Sequence, residues 1–370
     1  MSSPKLKRVA AALEASGIDA IILLPGANLY YTLGINQMLR KRPIIYAVFP
    51  DGSLAASLPL LEVPDFRARW PEAEVVSWTD PEGPEAAAKR LGGIIHERAG
   101  TSTPRVAAEN FAMRIFERSL LLPGLPGTEF EIAEKILDPL RMIKDQEDVD
   151  AMRQACRIAE ESLARVIKHF RRGMTELEIG NELKIEMLRL GTEADLPKDP
   201  VVSSGPRTAF PHTKSTDRPV TLGDALMIDT GARYHGYCSD ITRTFFVGPP
   251  PARFVEIYEQ ELACDRQVIA AIKPGVTLTE LDELAHRIMN EAGYGQYFPH
   301  RVGHGLGIEG HEVPSVVTGN GMVAAPGLTF TVEPGIFILN FGGVRVEEDV
   351  AVTSGGVDVL TAYPRELQVL

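Results

Sequence analysis

The sequence predicts an α/β domain followed by an α+β domain that contains an internal pseudo-two-fold repeat. Three observations carry this prediction. Helical and strand-like patterns alternate from residue 3 to about 125, the stretch LLPGLPG at 121–127 is dense in proline and glycine, and two segments of the second half match at a nearly constant offset. At 370 residues the chain is too long for an ordinary single core. The proline–glycine run sets the expected boundary, giving domains 1–127 and 128–370.

The first domain opens with KLKRVAAALEAS, a helix, and the apolar strand DAIILL follows it. ANLYYTLG reads as helical and PIIYAVFP as a strand, and a turn at Asp51-Gly52 returns the chain through SLAASLP. EVVSWT, the helix-like PEAAAKRLGGIIHERAG and the strand RVAAE continue the alternation. None of these elements carries ligands of obvious chemical type, so the domain reads as a support or a restriction on substrate. Past the break, EDVDAMRQACRIAEESLARVIKHF has helical periodicity and could be counted with either domain.

The repeat lies in the second domain. RRGMTELEI (171–179) matches KPGVTLTEL (273–281), with Gly173 opposite Gly275 and Thr175 opposite Thr277. In each copy Thr-x-x-Glu, Thr175/Glu178 and Thr277/Glu280, forms a capping box that starts a helix. A strand that ends in an acid, then glycine, comes after each: LMIDTG and FTVEPG. Thr277 follows Thr175 by 102 residues and Glu333 follows Asp229 by 104. Each strand continues into a hairpin with a second acid, Asp240 in one copy and Glu347 in the other. Taken alone, IDTGARYHGYCSD reads as a solvated hairpin whose carboxylates cap the turn. Its recurrence at a fixed offset asks for more.

A pseudo-two-fold would gather Asp229, Asp240, Glu333 and Glu347 around its axis. Four unpaired carboxylates in one cleft repel each other, and cations between them relieve the repulsion. Oxygen-rich sites suit Mn²⁺ or Mg²⁺, and an added imidazole moves the choice toward Mn²⁺, Co²⁺ or Zn²⁺. PHRVGHGLGIEGHEVP supplies His300, His304 and His311, three of the eight histidines. Its glycines break helices and let His304 approach a crowded metal centre. GGVRVEED alternates as a strand, which puts Arg345 and Glu347 on one face and Glu348 on the other. Arg345 could then hydrogen-bond the metal-binding carboxylates and fix their orientation. Two cations roughly 3.5–4 Å apart would share a bridging water or hydroxide, a nucleophile for carbonyl attack. Glu333 is placed to take and return protons, and histidines beside the metals can face the developing oxyanion. The reaction class is metal-assisted hydrolysis, with an amide as the expected substrate.

Composition narrows the partners. A net charge of −12 argues against nucleic acid or an anionic membrane. Cys156, Cys238 and Cys264 match no zinc or redox spacing, which suggests a reduced, cytoplasmic protein. MSSPKLKRVAAALEASG reads as an amphipathic helix rather than a signal peptide, and AIILL is too short to span a bilayer.

The ordered set Asp229, Asp240, His304, Glu333 and Glu347 resembles that of the pita-bread metallopeptidases: methionine aminopeptidase, aminopeptidase P and prolidase. The texts SSGPRTAFPHTKSTDRPVTLGDALMIDTGARYHGYCSDITRTF, HRVGHGLGIEGHEVP, TVEPGIF and GVRVEEDVAVT are similar as well. The resemblance implies an α+β pita-bread catalytic domain holding two divalent metal ions per subunit, with Mn²⁺ expected. It implies that Asp229 chelates one metal, that Asp240 and Glu347 bridge both, and that His304 and Glu333 complete the second site. It further implies that His212 in FPHTKS contacts substrate near the scissile bond, that His311 stabilises the tetrahedral intermediate, and that His300 lines the pocket. A homodimer is implied too, with the N-terminal domain limiting access to the cleft.

An α/β domain of this size before the catalytic one is similar to those of creatinase, prolidase and aminopeptidase P, and ANLYYTLGI resembles its usual text. Creatinase works without the metal-ligand set, so the intact ligands disfavour it. The expected substrate is a proline-containing peptide cut before proline, whose tertiary amide has no N–H and is recognised by ring shape. Many prolidase-like relatives carry arginine right after HExP, where this chain has Ser315. That departure favours aminopeptidase P, acting at the N-terminus of longer peptides, with an Xaa-Pro dipeptidase as the alternative. Arg301, or an arginine from a partner subunit, could replace the missing cation. A binding module that had lost its metals would lack a ligand, and all five are present.

Overall fold

Short apolar runs bounded by turn residues become strands. In the computed structural model, which describes residues 3–370, six of them form the sheet of a first compact unit, Met1–Arg141. Its strands are β1 (Ala20–Leu23), β2 (Ile45–Val48), β3 (Leu54–Pro59), β4 (Glu74–Trp78), β5 (Val106–Ala108) and β6 (Phe130–Ile132), in the order β4-β3-β2-β1-β5-β6. Helices α1 (Pro4–Ser16), α2 (Ala27–Leu33), α3 (Val63–Arg69), α4 (Glu85–Ala99), α5 (Ile115–Leu121) and α6 (Glu134–Met142) alternate with them. The Ser3 hydroxyl accepts the Leu6 N–H at 3.1 Å and starts α1.

The unit runs past the expected boundary after Gly127 and closes at Arg141. The proline–glycine run is packed rather than free. A Cβ on Gly124 would lie 2.1 Å from the Lys89 carbonyl of α4, so glycine there answers a close approach between backbones. Beyond the run, β6 pairs in parallel with β5 and completes the sheet.

The second unit, Met142–Leu370, follows one plan twice. Its first half contains α7 (Gln146–His169), α8 (Glu176–Arg189), β7 (Val201–Ser204), β8 (Ala225–Thr230), β9 (Arg233–Tyr234), β10 (Tyr237–Cys238) and β11 (Ile241–Phe246). The second contains α9 (Ala252–Ala271), α10 (Leu278–Glu291), β12 (Gly303–Gly305), β13 (Glu312–Val316), β14 (Thr329–Val332), β15 (Gly335–Ile338), β16 (Gly342–Arg345) and β17 (Glu348–Val352). β18 (Val357–Val359) and β19 (Gln368–Val369) add edges to the two sheets, whose orders are β19-β11-β8-β7 and β13-β12-β14-β17-β18.

Both capping boxes form, Thr175 with Glu178 and Thr277 with Glu280. The approach to each helix is the same too. Gly173 and Gly275 have φ of 93° and 95°, and isolated bridges join Thr175 to Pro219 and Thr277 to Val323. Each half has its own apolar cluster. Leu163, Ile179, Leu183 and Ile228 belong to one, and Tyr258, Leu281, Phe330 and Val350 to the other.

Each half also projects a short ribbon from its sheet, β9–β10 and β15–β16. The first turns at His235-Gly236, both at positive φ (46° and 75°), the combination a two-residue type I′ turn requires. No helix among the described residues is long and apolar enough to cross a membrane.

In the first unit, buried Glu109 accepts the Leu24 N–H at 2.6 Å and the Asn28 amide at 2.8 Å, joining the end of β1 to α2. Burial pushes its pKa from 4.5 up to about 7. The folded unit therefore keeps a proton that the unfolded chain releases, so this group costs stability as pH rises from about 4.5 to about 7. Denaturant melts of Glu109→Gln against the wild type should show that pH slope vanish, an effect of about 3 kcal/mol.

Candidate metal centre

The acids singled out in the sequence converge in the second unit, and three of them sit where strands break. Asp229 is carried on β8 itself. Asp240 lies between β10 and β11, its N–H donated to Asp349 Oδ2 at 2.9 Å. Glu333 follows β14, with its N–H on the Val302 carbonyl at 2.8 Å. Glu347 lies between β16 and β17, its N–H on the Thr242 carbonyl at 3.1 Å. At these breaks the chain leaves one sheet for the ribbon beside it; Asp240 and Glu333 line the cleft, and a Glu347 oxygen lies within 4.8 Å of a donor atom of each.

GGVRVEED is accordingly not the single alternating strand expected. Val346 leaves the ladder and gives its N–H to Glu261 Oε1 at 2.9 Å, because β16 pairs with β15 while β17 pairs with β14. Arg345 and Glu347 still meet the same hydroxyl. Arg345 Nε donates to Thr242 Oγ1 at 3.0 Å, and that hydroxyl donates to Glu347 Oε2 at 2.6 Å. Arg345 also donates to Asp229 Oδ2. Glu348 points elsewhere and pairs with Arg243 at 2.6 Å.

His304 is the middle residue of β12, and its flanking glycines are needed by the neighbouring strands. A Cβ on Gly303 would fall 1.8 Å from the Thr331 carbonyl oxygen, and one on Gly305 would fall 2.3 Å from that of Val313. His304 Nδ1 lies 3.0 Å from the Gly305 carbonyl, which fixes the proton there and leaves Nε2 as an acceptor. Nε2 is 3.3 Å from Glu333 Oε1 and 4.0 Å from Asp240 Oδ2. The His311 ring stacks on His304 with centroids 3.6 Å apart. His300 places Nδ1 2.7 Å from the Arg301 carbonyl and leaves a buried Nε2 without a partner. His212 is exposed and lines the same cleft of about 900 Å³.

The electrostatics are those of an anionic cluster short of positive charge. Burial, then Glu347, raises Asp240 far above the usual carboxylate range, and the same two causes push Glu333 up to about 8. Burial also raises Glu347. Asp229 is the exception: burial pushes it up, but Lys198 and Arg345 together hold it below its ordinary value. Desolvation lowers His304 to about 3 and His300 to about 4, and lowers the more exposed His311 to about 4, so all three imidazoles are neutral at neutral pH.

Lys198 is the residue that sequence reasoning missed. Its ammonium sits against Asp229 Oδ1 and Asp240 Oδ1, yet neither oxygen receives a hydrogen bond of proper geometry. Apart from that ammonium the two buried oxygens have no partner, an arrangement that a divalent cation also satisfies. Donor atoms within 4.8 Å of one another form three overlapping groups: Asp229, Asp240 and Glu347; His304, Glu333 and Glu347; Asp240, His304 and His311. The residues present therefore fit divalent metal ions. Thr242 and Asp349 were missed as well; only Thr242, paired with Asp229 across β8 and β11, could have been found, from the hairpin register.

Comparison with known proteins agrees with this chemistry. The model of metallopeptidase family M24 matches residues 150–354, and that of the creatinase/prolidase N-terminal domain matches residues 5–143. An uncharacterized peptidase of Staphylococcus saprophyticus is 31% identical over 98% of this chain and 100% of its own. A dipeptidase from Pyrococcus horikoshii OT3 superposes with a TM-score of 0.91 at 33% identity, over 99% of this chain and 100% of that one. An X-Pro aminopeptidase from Thermotoga maritima gives a TM-score of 0.87 at 28% identity, over 100% of both chains. The first unit is thus a creatinase/prolidase N-terminal domain, the second carries the pita-bread catalytic fold, and the chain, an enzyme, belongs to metallopeptidase family M24.

Proposed function

We propose that this enzyme hydrolyses the bond before proline in Xaa-Pro dipeptides, using two divalent metal ions, with Mn²⁺ as the working metal. The observation that carries the dipeptide reading is Arg301. Its guanidinium lines the cleft and donates to Ser315 Oγ at 3.2 Å. Ser315 is paired with His304 across β12 and β13, so this bond holds a cation beside the metal centre. A free carboxylate one residue beyond the scissile bond is what such a guanidinium recognises. Ser315, which in the sequence favoured longer substrates, thus acts as the tether of a replacement arginine.

Asp229, Asp240, His304, Glu333 and Glu347 are the residues that would hold the ions. Bound there, the ions would polarise the scissile carbonyl and acidify the attacking water. Glu333 takes the proton from that water and returns it to the proline nitrogen as the bond breaks. His311 and His212 donate to the carbonyl oxygen as it gains charge, and His300 walls the pocket. Arg345, bonded to Thr242 and Asp229, keeps the carboxylates oriented. Three buried free cysteines support a reducing, cytoplasmic setting, and a homodimer is the assembly proposed.

Aminopeptidase P activity is the second reading. A cleft of about 900 Å³ offers more room than a dipeptide fills, and the Thermotoga maritima neighbour bears that activity in its name.

Four measurements test these roles. Asp240→Asn should lose both metal binding by calorimetry and hydrolysis, and full metal occupancy would remove Asp240 from the ligand set. His311→Ala should keep its metal while kcat falls on the order of 10²–10³-fold; loss of metal would make His311 a ligand. The Mn²⁺-loaded enzyme should cleave an Xaa-Pro dipeptide with higher kcat/KM than the same peptide extended by one residue. Arg301→Ala should then raise KM for the dipeptide about tenfold or more while sparing the extended peptide. Cleavage of the longer peptide alone would establish the aminopeptidase.

A further inference from the structure

The segment LPKDP, 196–200, enters the cleft without regular secondary structure, yet both of its flanks are fixed. Pro197 packs where a Cβ on Gly231 or on Gly310 would come within 3.2 Å of its ring. Asp199 pairs with Lys184 of α8 at 2.7 Å, and Val201 begins β7. Lys198 is therefore held at its backbone and free along its side chain. That side chain is 24% exposed and reaches from the cleft wall to Asp229 and Asp240, with its ammonium on one oxygen of each.

Both oxygens belong to residues of the proposed metal site and have no other partner, so a bound ion would compete for them; the inference rests on that reading. Arg345 occupies the other oxygen of Asp229, so it can stay when metal binds. Lys198 cannot. An ammonium and a dication crowding the same two oxygens repel each other, and only one can hold the position. The side chain has somewhere to go, because the cleft beside it is about 900 Å³.

We propose that Lys198 is a built-in counter-ion of the metal-free enzyme: it holds Asp229 and Asp240 together until a divalent ion displaces its ammonium into the cleft. The residue thereby sets the affinity for the first metal, since every binding event must break its two ion contacts. It is a positioning residue for metal loading and takes no part in the chemical step.

The test uses the full chain stripped with chelator and titrated with Mn²⁺ by calorimetry. Lys198→Met, which keeps length and loses charge, should bind the first ion about tenfold or more tightly than the wild type, the scale of a competing intramolecular ligand. Its metal-free form should melt lower and gain more in Tm on adding Mn²⁺. Equal or weaker affinity in the variant would overturn the proposal while leaving the metal site standing. Absence of Mn²⁺ binding in both proteins would overturn the site itself, and the proposal with it.

Should Lys198→Met fail to fold, the wild type carries a second readout. Reductive methylation followed by peptide mass spectrometry should find Lys198 protected in the stripped protein and labelled after Mn²⁺ is added, with Lys184 as the internal reference. Equal labelling of Lys198 in both states would overturn the displacement.

Discussion

Four clustered carboxylates, buried Asp229, Asp240 and Glu347 with half-buried Glu333, are the constraint around which the second unit is arranged. A buried anion is tolerable only beside positive charge or donors, and the fold provides both from fixed places. Arg345, held by Thr242, donates to Asp229, and the Thr242 hydroxyl donates to Glu347. Behind this layer a second one fixes the backbone at the strand break. Arg243, 1% exposed, donates to the carbonyls of Thr242 and Glu347 at 2.9 and 2.8 Å while its other nitrogen pairs with Glu348. Glu347 can therefore leave the ladder without loosening the strands on either side. The fixed cations still fall short of the anionic charge, which is why burial and Glu347 drive Asp240 and Glu333 toward protonation.

The duplicated plan explains how such a cluster is assembled from short-range rules. Each half needs only a capped helix, an antiparallel pair and a ribbon that interrupts the pair. Two copies related by a pseudo-two-fold then bring four acids together, although no acid is near its partners from the other half in sequence. The halves diverge where the chemistry requires an asymmetric site. The second supplies His304 on a strand stripped of side chains by Gly303 and Gly305. The first supplies Lys198 from an irregular segment.

What the sequence made legible follows from that division. Capping boxes and the acid at each strand end are local patterns, and repetition at offsets of 102 and 104 separated them from chance. Features that depend on packing were not legible. The run at 121–127 carries every mark of a linker, but Gly124 serves a contact with α4 that no local pattern reveals. GGVRVEED alternates well enough for one strand, and its break depends on Glu261, 85 residues away along the chain. Lys198 sits between Pro197 and Asp199-Pro200 with no periodicity to place it. The tie between Arg301 and Ser315 needs the β12–β13 pairing before it can be seen.

The charge distribution bears on substrate choice in a way that net charge conceals. The chain as a whole carries −12, yet Lys184, Lys198, Lys214 and Arg301 all line this one cleft. Lys184 is offset by Asp199, and Lys198 by the acids it touches. Arg301 is different, because its partner is the neutral Ser315 hydroxyl, which leaves its charge uncompensated by that bond. A cation in a cleft walled by protein attracts anions from an otherwise repulsive surface. Every peptide has a C-terminal carboxylate, but only in a dipeptide does that group lie one residue from the bond being cut. On the proposed dipeptidase reading a longer peptide would place a neutral amide opposite Arg301 and leave the guanidinium desolvated without an anion. On that reading the contact that binds one substrate would disfavour the other, and selectivity would rest on Arg301 as Ser315 holds it.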